Sequence, residues 1–204
     1  MAGNKLDKQI ATALKSTERW LRKQPTWPDG HLRNASGTVV SHRGPSILSE
    51  RDCVMQFARQ LNDAGVPWKD LHMEVSPGQW LVNQKKAGLR PPSIDLVIAN
   101  RESLGSRTEP YSPGKRKDFL FDAVFEFRLA SNFWERTLRN GKPAKPPAKV
   151  RSGIGEDVKK VRKYLDSMLA QRGWVVVVEE CDHGFDRGYG KAVDGMSVRY
   201  LKCY

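Results

Sequence analysis

The chain has 204 residues, of which 39% are hydrophobic and 28% are charged, and its 35 Lys and Arg outnumber 23 Asp and Glu to give a net charge of +12. This composition allows one mixed globular domain with a sizeable core, and the basic excess favours nucleic acid as partner over an acidic protein or a merely basic surface. Three cysteines without a CxxC pair exclude a disulfide framework and a zinc knuckle, and no apolar run approaches the ~18 residues that span a bilayer, so we expect a cytoplasmic protein with no membrane partner.

The N-terminal segment, residues 1–45, is predicted to be a helix and an irregular extension that packs on a core formed by residues 46–204. Its opening, MAGNKLDKQ, is too polar for a signal peptide. Apolar side chains recur at near-helical spacing over residues 6–23: Leu6, Ile10, Leu14 and Leu21. We expect Trp20 and Trp27 to anchor this helix, and residues 24–45 to form a loop rich in Pro, Gly, Asn and Ser.

The first core helix is predicted to start at Ser46 or Ser49, with a serine as N-cap, and to end at residue 64 before a glycine. Its inward stripe has offsets of three and four: Val54, Phe57, Ala58 and Leu61. Glu50 precedes Val54 by four residues, so it lies on the apolar face and points inward. The alternative is an ordinary first-turn acid favoured by the helix dipole.

Five strands are predicted, at residues 71–75, 93–99, 121–130, 174–179 and 197–204. In the first of them, Glu74 shares a face with His72, and the other face carries the apolar residues of a half-exposed strand: Leu71, Met73 and Val75. A long loop over residues 101–117 and a glycine-rich turn region over residues 184–195 separate the later strands.

Two of these strands are apolar runs that each carry an acid. Successive side chains of a strand point to opposite faces, so Asp95 shares a face with Val97. Glu126 likewise shares a face with Val124 and Arg128. A lone buried carboxylate is costly, so each acid requires a cation, a hydrogen-bond donor or a metal ion.

A third helix is predicted over residues 155–171, with an inward apolar stripe: Ile154, Val158, Val161, Leu165 and Met168. Asp157, Lys160 and Tyr164 form a second line beside that stripe, at the border of the core. This line either faces a cleft or carries a surface ion pair worth well under ~1 kcal/mol.

Two basic segments are candidates for binding nucleic acid. One closes the loop before the third strand and consists of Lys115, Arg116 and Lys117. The other is the proline-rich loop of residues 139–151, which has no acid and either lies along a phosphate backbone or is a flexible solvated linker. Its candidate residues are Lys142, Lys145, Lys149 and Arg151.

The order of helix, three strands, helix and strand resembles the PD-(D/E)XK superfamily of metal-dependent nucleases, the fold of many restriction endonucleases, over about residues 46–179. In this resemblance Glu50 lies on the helix, Asp95 on the second strand and Glu126 on the third. The resemblance implies an α/β fold with a central mixed sheet of four to five strands flanked by helices, and an N-terminal helical extension. It also implies that the three acids bind Mg²⁺ or Mn²⁺, with the Phe127 carbonyl as a further ligand.

The chain departs from this family at one motif position. The family usually has lysine two residues after the second acid, where this chain has Arg128. Arginine can bind a phosphate oxygen, but it stays protonated and cannot act as a general base. Lys160, reaching in from the third helix, is the candidate replacement.

The resemblance therefore implies a Mg²⁺-dependent endonuclease that hydrolyses phosphodiester bonds of DNA, in defence, repair or mobile-element biology. The alternatives are a non-catalytic nucleic-acid-binding module, in which Arg128 neutralises Glu126, and a protein-docking module on the same fold. The choice between DNA and RNA, and assembly as a homodimer or within a larger protein complex, stay open.

Overall fold

The computed structural model describes residues 2–26, 32–33, 39–41, 48–76, 93–105, 119–130, 148–180 and 195–204. The elements in chain order are α1 (Ala2–Leu21), β1 (Leu32–Arg33), β2 (Val39–Ser41), α2 (Glu50–Asp63), a 3-10 turn (Trp68–Asp70), β3 (Leu71–Val75), β4 (Ile94–Ala99), α3 (Arg101–Gly105), β5 (Phe121–Leu129), α4 (Ala148–Asp166), β6 (Gly173–Glu179) and β7 (Met196–Lys202). None of the helices in these ranges has an apolar stretch long enough to cross a bilayer.

The central sheet has five strands in the order β3-β4-β5-β6-β7. β3, β4 and β5 are antiparallel neighbours, whereas β6 pairs with β5, and β7 with β6, in parallel. The parallel pair β5 and β6 needs a long crossover, and α4 lies within it. The α/β fold with a mixed sheet, flanking helices and an N-terminal helix is confirmed.

Helices cover both faces of the sheet because β4, β5 and β6 carry apolar side chains on both faces. One face packs against α1 and α2, and its core includes Phe125, Phe127 and Val176. The other face packs against α4, and its core includes Val124 and Val177. The expected division of β5 into a phenylalanine face and a Val124 face is confirmed.

The start of α2 is fixed by Ser49, one of the two serines predicted as its N-cap, together with Asp52, which was not predicted. The Ser49 hydroxyl accepts a hydrogen bond from the Asp52 N–H, and the Asp52 carboxylate accepts one from the Ser49 N–H at 2.8 Å. This reciprocal capping makes Glu50 the first helical residue. Farther along, the Phe57 ring meets the rings of Phe125 and Phe127 at centroid distances of 5.0 and 5.5 Å, which holds α2 against β5.

The structure differs from the sequence predictions at several elements, beginning with α1, which spans Ala2–Leu21 rather than residues 6–23. The short strands β1 and β2 pair within the expected loop of residues 24–45, and α3 occupies the start of the expected loop of residues 101–117. α4 begins at Ala148 rather than residue 155, and ends at Asp166 rather than residue 171. Its two internal glycines do not interrupt it, because the loss of helix propensity at a glycine is small beside the tertiary packing of the helix.

β3 also differs from its predicted facing pattern. Met73 shares the face of Leu71 as predicted, since its cross-strand partner Leu96 belongs to the same core as Leu71, but its side chain is 40% exposed. The following residue, Glu74, has a left-handed backbone with φ of 53°, which a regular strand does not contain. This residue breaks the two-residue alternation, so Val75 packs with the core on the opposite face of the sheet instead of sharing the face of Leu71 and Met73.

Gly173 opens β6 at a point of close contact with α4. A Cβ atom added to it would lie 2.2 Å from Cγ1 of Val161. We therefore expect Gly173→Ala to lower the free energy of unfolding by about 2 kcal/mol through overpacking, measured by urea denaturation. In a Val161→Ala background the same change should cost less than ~1 kcal/mol, because the contact is gone. Equal costs in both backgrounds would contradict this account.

Candidate functional site

Asp95 and Glu126 are neighbours across the antiparallel pair of β4 and β5. The register pairs Leu96 with Phe125, so Asp95 stands opposite Glu126. Residues opposite each other in such a pair have side chains on the same face, with Cβ atoms ~5 Å apart. The sheet register therefore brings together the two strand acids that the sequence singled out.

The Glu126 carboxylate is almost completely buried. Its Oε2 accepts a hydrogen bond from Lys160 Nζ at 3.3 Å, and its Oε1 lies 3.5 Å from the Tyr164 hydroxyl. Burial and the neighbouring Asp95 raise the pKa of Glu126 to about 8, and Lys160 only partly opposes this shift. An ionised Glu126 is therefore incompletely neutralised by its neighbours.

Asp95 is half-buried beside it. Its Oδ2 accepts a hydrogen bond from the Phe127 N–H at 2.6 Å. Burial raises the pKa of Asp95 to about 6, the Phe127 N–H opposes the shift, and Glu50 adds to it. In a β-strand the N–H and C=O of one residue point to the same side, so the Phe127 carbonyl faces the same edge as the N–H that Asp95 accepts.

Glu50 lies in the first turn of α2, the helix that packs on the phenylalanine face of the sheet. β4 begins at Ile94, opposite Phe127, so the last residues of β5 extend past it. There the Leu129 N–H donates to Glu50 Oε2 at 2.9 Å. The inward orientation predicted for Glu50 is confirmed, and its helix packs on the opposite face from Glu126.

Arg128 is held by a partner that the sequence analysis did not assign to it. Its Nε and Nη2 both donate to Oδ2 of Asp157, at 2.8 and 2.6 Å. Gly153 makes room for the guanidinium, since a Cβ there would lie 3.2 Å from Arg128 Cζ and Nε. Burial opposes the charge, but Asp157, Glu50 and Asp95 together raise the pKa of Arg128. Within the described residues, the predicted phosphate clamp is part of an internal ion pair.

Lys160 stands between the acids of β5 and α4. Its Nζ lies 3.3 Å from Glu126 Oε2 and 3.4 Å from Asp157 Oδ1. Burial opposes its charge, yet Glu126 and Asp157 raise the pKa of Lys160, so it is a stable cation. The alternative of a surface ion pair for Asp157 and Lys160 is wrong, because the Asp157 side chain is only 1% exposed. The structure brings the predicted replacement lysine into contact with Glu126.

We call these six side chains the acid cluster: Glu50, Asp95, Glu126, Asp157, Arg128 and Lys160. When all are ionised, four carboxylates face two cations, a formal charge of −2. Oδ1 of Asp157 is buried and makes no hydrogen bond in the described part of the chain, where its ionic contact is Lys160 Nζ at 3.4 Å. A buried excess of carboxylate oxygen is the donor set that a hard divalent cation requires.

The cluster fits Mg²⁺ in chemistry and charge without forming a complete protein cage. Among the described ranges, no three His, Cys, Asp or Glu residues are grouped closely enough to hold a metal ion by themselves. Mg²⁺ is usually bound through one or two carboxylates, with waters and substrate phosphates completing its coordination. Asp95 and Glu126 match that description, with Glu50 nearby.

Of the seven residues predicted to contact nucleic acid, two lie in the described part of the chain, and both belong to a helix. Lys149 and Arg151 belong to the first turn of α4, not to an extended loop as predicted. The helix follows directly after a proline pair, where proline is tolerated at a helix start. The remaining five lie outside the described residues: Lys115, Arg116, Lys117, Lys142 and Lys145.

Two contacts near the site were missed by the sequence analysis. Arg51, next to Glu50 on α2, forms an ion pair with Glu74 of β3. Tyr164, assigned to the border of the core, reaches the Glu126 carboxylate. The spacing of Lys160 and Tyr164, four residues apart on one helix face, was the available signal for the second contact.

Comparison of the chain with protein-family models, with curated proteins and with solved structures gave no match.

Proposed function

We propose that the protein is a metal-dependent nuclease that hydrolyses phosphodiester bonds of DNA in the cytoplasm. The observation that carries the proposal is the acid cluster, in which four carboxylates face two cations, in a chain whose net charge is +12. One divalent cation would cancel the remaining charge of −2. The basic chain would attract DNA, while the acid cluster would attract the metal ion.

Each side chain then has a role that follows from its position. Asp95 and Glu126 would hold Mg²⁺ or Mn²⁺, with Glu50 and the Phe127 carbonyl as further ligands. The metal ion would polarise the scissile phosphate and make a bound water more acidic. Lys160 favours the ionised form of Glu126 through its 3.3 Å contact, and its ammonium group would contact a phosphate oxygen.

Arg128 is a positioning residue in this proposal. Its two hydrogen bonds to Asp157 tie β5 to α4, and so hold Glu126 and Lys160 in register. It supplies no general base, because a guanidinium does not lose its proton. The lysine usual in the resembled family is thus replaced by two residues, Lys160 for the charge and Arg128 for the link between the elements.

A second candidate is a non-catalytic nucleic-acid-binding module. It is favoured by the internal hydrogen bonds of two acids, since Asp95 and Glu50 each accept a backbone N–H of β5. In that case the carboxylates complete the end of the sheet and bind no metal. The two candidates differ in whether a divalent cation binds.

Titration calorimetry of Mg²⁺ and Mn²⁺, with plasmid nicking on the same samples, tests the proposal. We expect metal binding and nicking for the wild type, and neither after the metal is chelated. Asp63→Asn is the control for removal of a carboxylate outside the acid cluster, because Asp63 is exposed at the far end of α2, and it should bind metal and nick DNA as the wild type does. Absence of metal binding and of cleavage of either plasmid or single-stranded DNA, with DNA still bound, would overturn the nuclease proposal in favour of the binding module.

A further inference from the structure

We infer that the cleft between α2 and β3 binds an unstacked base of single-stranded DNA, which makes single-stranded or unpaired DNA the substrate. This inference rests on the proposed nuclease function and specifies its substrate. The cleft has a volume of about 530 Å³ and includes Glu50 and Asp95 in its lining. A ligand there lies against two of the proposed metal ligands.

Two exposed methionines form the apolar wall of this cleft. Large hydrophobic side chains are exposed at three positions of the described chain: Met55, Trp68 and Met73. Met55 and Met73 both line the cleft, at 48% and 40% exposure. Such a concentration of apolar surface at a polar site calls for an apolar ligand group.

A nucleobase fits this wall better than other parts of DNA. Methionine sulfur and methylene groups make favourable contacts with aromatic rings, and methionine is among the apolar side chains that wedge between base steps. In a stacked duplex the faces of the bases are covered, and only their edges are accessible. A base that contacts Met55 and Met73 with its face must therefore be unstacked, as in a single strand.

The polar side of the cleft carries Arg51, which would bind the phosphate next to the base. Arg51 reaches across from α2 to Glu74 of β3, and both side chains are largely exposed. Nε and Nη2 of Arg51 both donate to Oε1 of Glu74. An exposed guanidinium can exchange this carboxylate for a phosphate and donate the same two N–H groups to it. Glu74 holds its position with a left-handed backbone, and strain of this kind concentrates at ligand clamps.

The charge of the cleft predicts how binding depends on metal. Its lining includes three carboxylates, of Glu50, Glu74 and Asp95, against one guanidinium, of Arg51. The sum is −2, which repels a phosphate unless a divalent cation is present. Single-stranded DNA should therefore enter the cleft only with a divalent cation, whereas contacts elsewhere on the basic surface need none.

The test is fluorescence anisotropy with a short DNA containing 2-aminopurine, as a single strand and as a duplex, in Ca²⁺ and in EDTA. In Ca²⁺ we expect the wild type to bind the single strand about tenfold more tightly than the duplex, with a rise in 2-aminopurine emission that reports unstacking. The variant with both Met55→Ala and Met73→Ala should bind the single strand about tenfold more weakly and lose that rise. Trp68→Ala, equally exposed but outside the cleft, should retain both.

The outcomes separate this inference from the proposed function. Equal binding of single strand and duplex, unchanged in the methionine variant, would overturn the inference, and plasmid nicking would still support the nuclease. Methionine-dependent binding of the single strand without any cleavage would support the cleft and overturn the nuclease. Binding of neither DNA would overturn both. Thermal unfolding of each variant checks the fold, which changes at exposed positions should leave intact.

Discussion

Asp95→Asn is expected to reduce metal-dependent nicking by at least ~1000-fold and, at the same time, to stabilise the metal-free protein. Activity falls because the asparagine amide is a neutral and much weaker ligand for Mg²⁺ than a carboxylate. Stability rises because burial raises the pKa of Asp95 to about 6, so the ionised carboxylate at neutral pH destabilises the folded state. The asparagine oxygen can still accept the Phe127 N–H that Asp95 now accepts.

Opposite effects on activity and stability distinguish a functional carboxylate from a structural one. In chelator at pH ~8 we expect Asp95→Asn to raise the free energy of unfolding by about 1 to 2 kcal/mol, measured by urea denaturation. Asp63→Asn, at an exposed position of α2, should leave the nicking activity unchanged and the free energy of unfolding within ~0.5 kcal/mol of the wild type. A destabilised Asp95→Asn protein would mean that the carboxylate stabilises the pairing of β4 with β5 and does not bind a metal ion.

The stability of the metal-free protein is expected to fall as the pH rises from about 5 to about 8.5, and Glu126 is the main cause. Burial raises the pKa of Glu126 from 4.5 to about 8 in the folded protein. Between these values the folded state binds more protons than the unfolded state, so raising the pH favours unfolding. At ~1.4 kcal/mol for each pH unit, discounted for coupling to Asp95, the loss is about 3 kcal/mol.

Glu126→Gln tests this dependence, because glutamine does not titrate. Urea denaturation in chelator across this pH range should show a slope flattened by most of that amount. Glu156→Gln is the matched control, since Glu156 is exposed on α4. The same slope in wild type and Glu126→Gln would contradict the assignment. Addition of Mg²⁺ near pH 8.5 should restore stability to the wild type and to Glu156→Gln but not to Glu126→Gln, because a metal ion that binds only the folded state stabilises it.

The sequence alone determined the secondary structure wherever the signal lay within one turn or one strand. Of the two serines predicted to begin α2, Ser46 and Ser49, the second is the observed N-cap, and the helix starts at Glu50. Runs of Val, Ile and Phe placed β4, β5 and β6 to within one residue. Alternation along β5 put Glu126 and Arg128 on one face, because side-chain direction in a regular strand depends only on position.

The same local signals failed where a tertiary contact overrides a preference. The third helix was predicted to start at residue 155, yet α4 starts at Ala148, and Gly153 lies inside it and faces the guanidinium of Arg128. Val75 was placed on one face with Leu71 and Met73, yet the left-handed backbone of Glu74 breaks the alternation of β3 and Val75 packs with the opposite core. In both cases the decisive neighbour belongs to the three-dimensional structure and not to the local sequence.

The composition of the site divides in the same way. That Glu50, Asp95 and Glu126 face inward could be predicted, because an acid at an apolar position is visible in the sequence. Tertiary packing decided which cation pairs with which acid. Arg128 forms an ion pair with Asp157, 29 residues away, and Lys160 forms one with Glu126. Glu50 finds its donor 79 residues along the chain, at Leu129. The sequence determined which residues need a partner, whereas the sheet register and the seating of α2 and α4 determined the partner, because these place distant residues within hydrogen-bond reach.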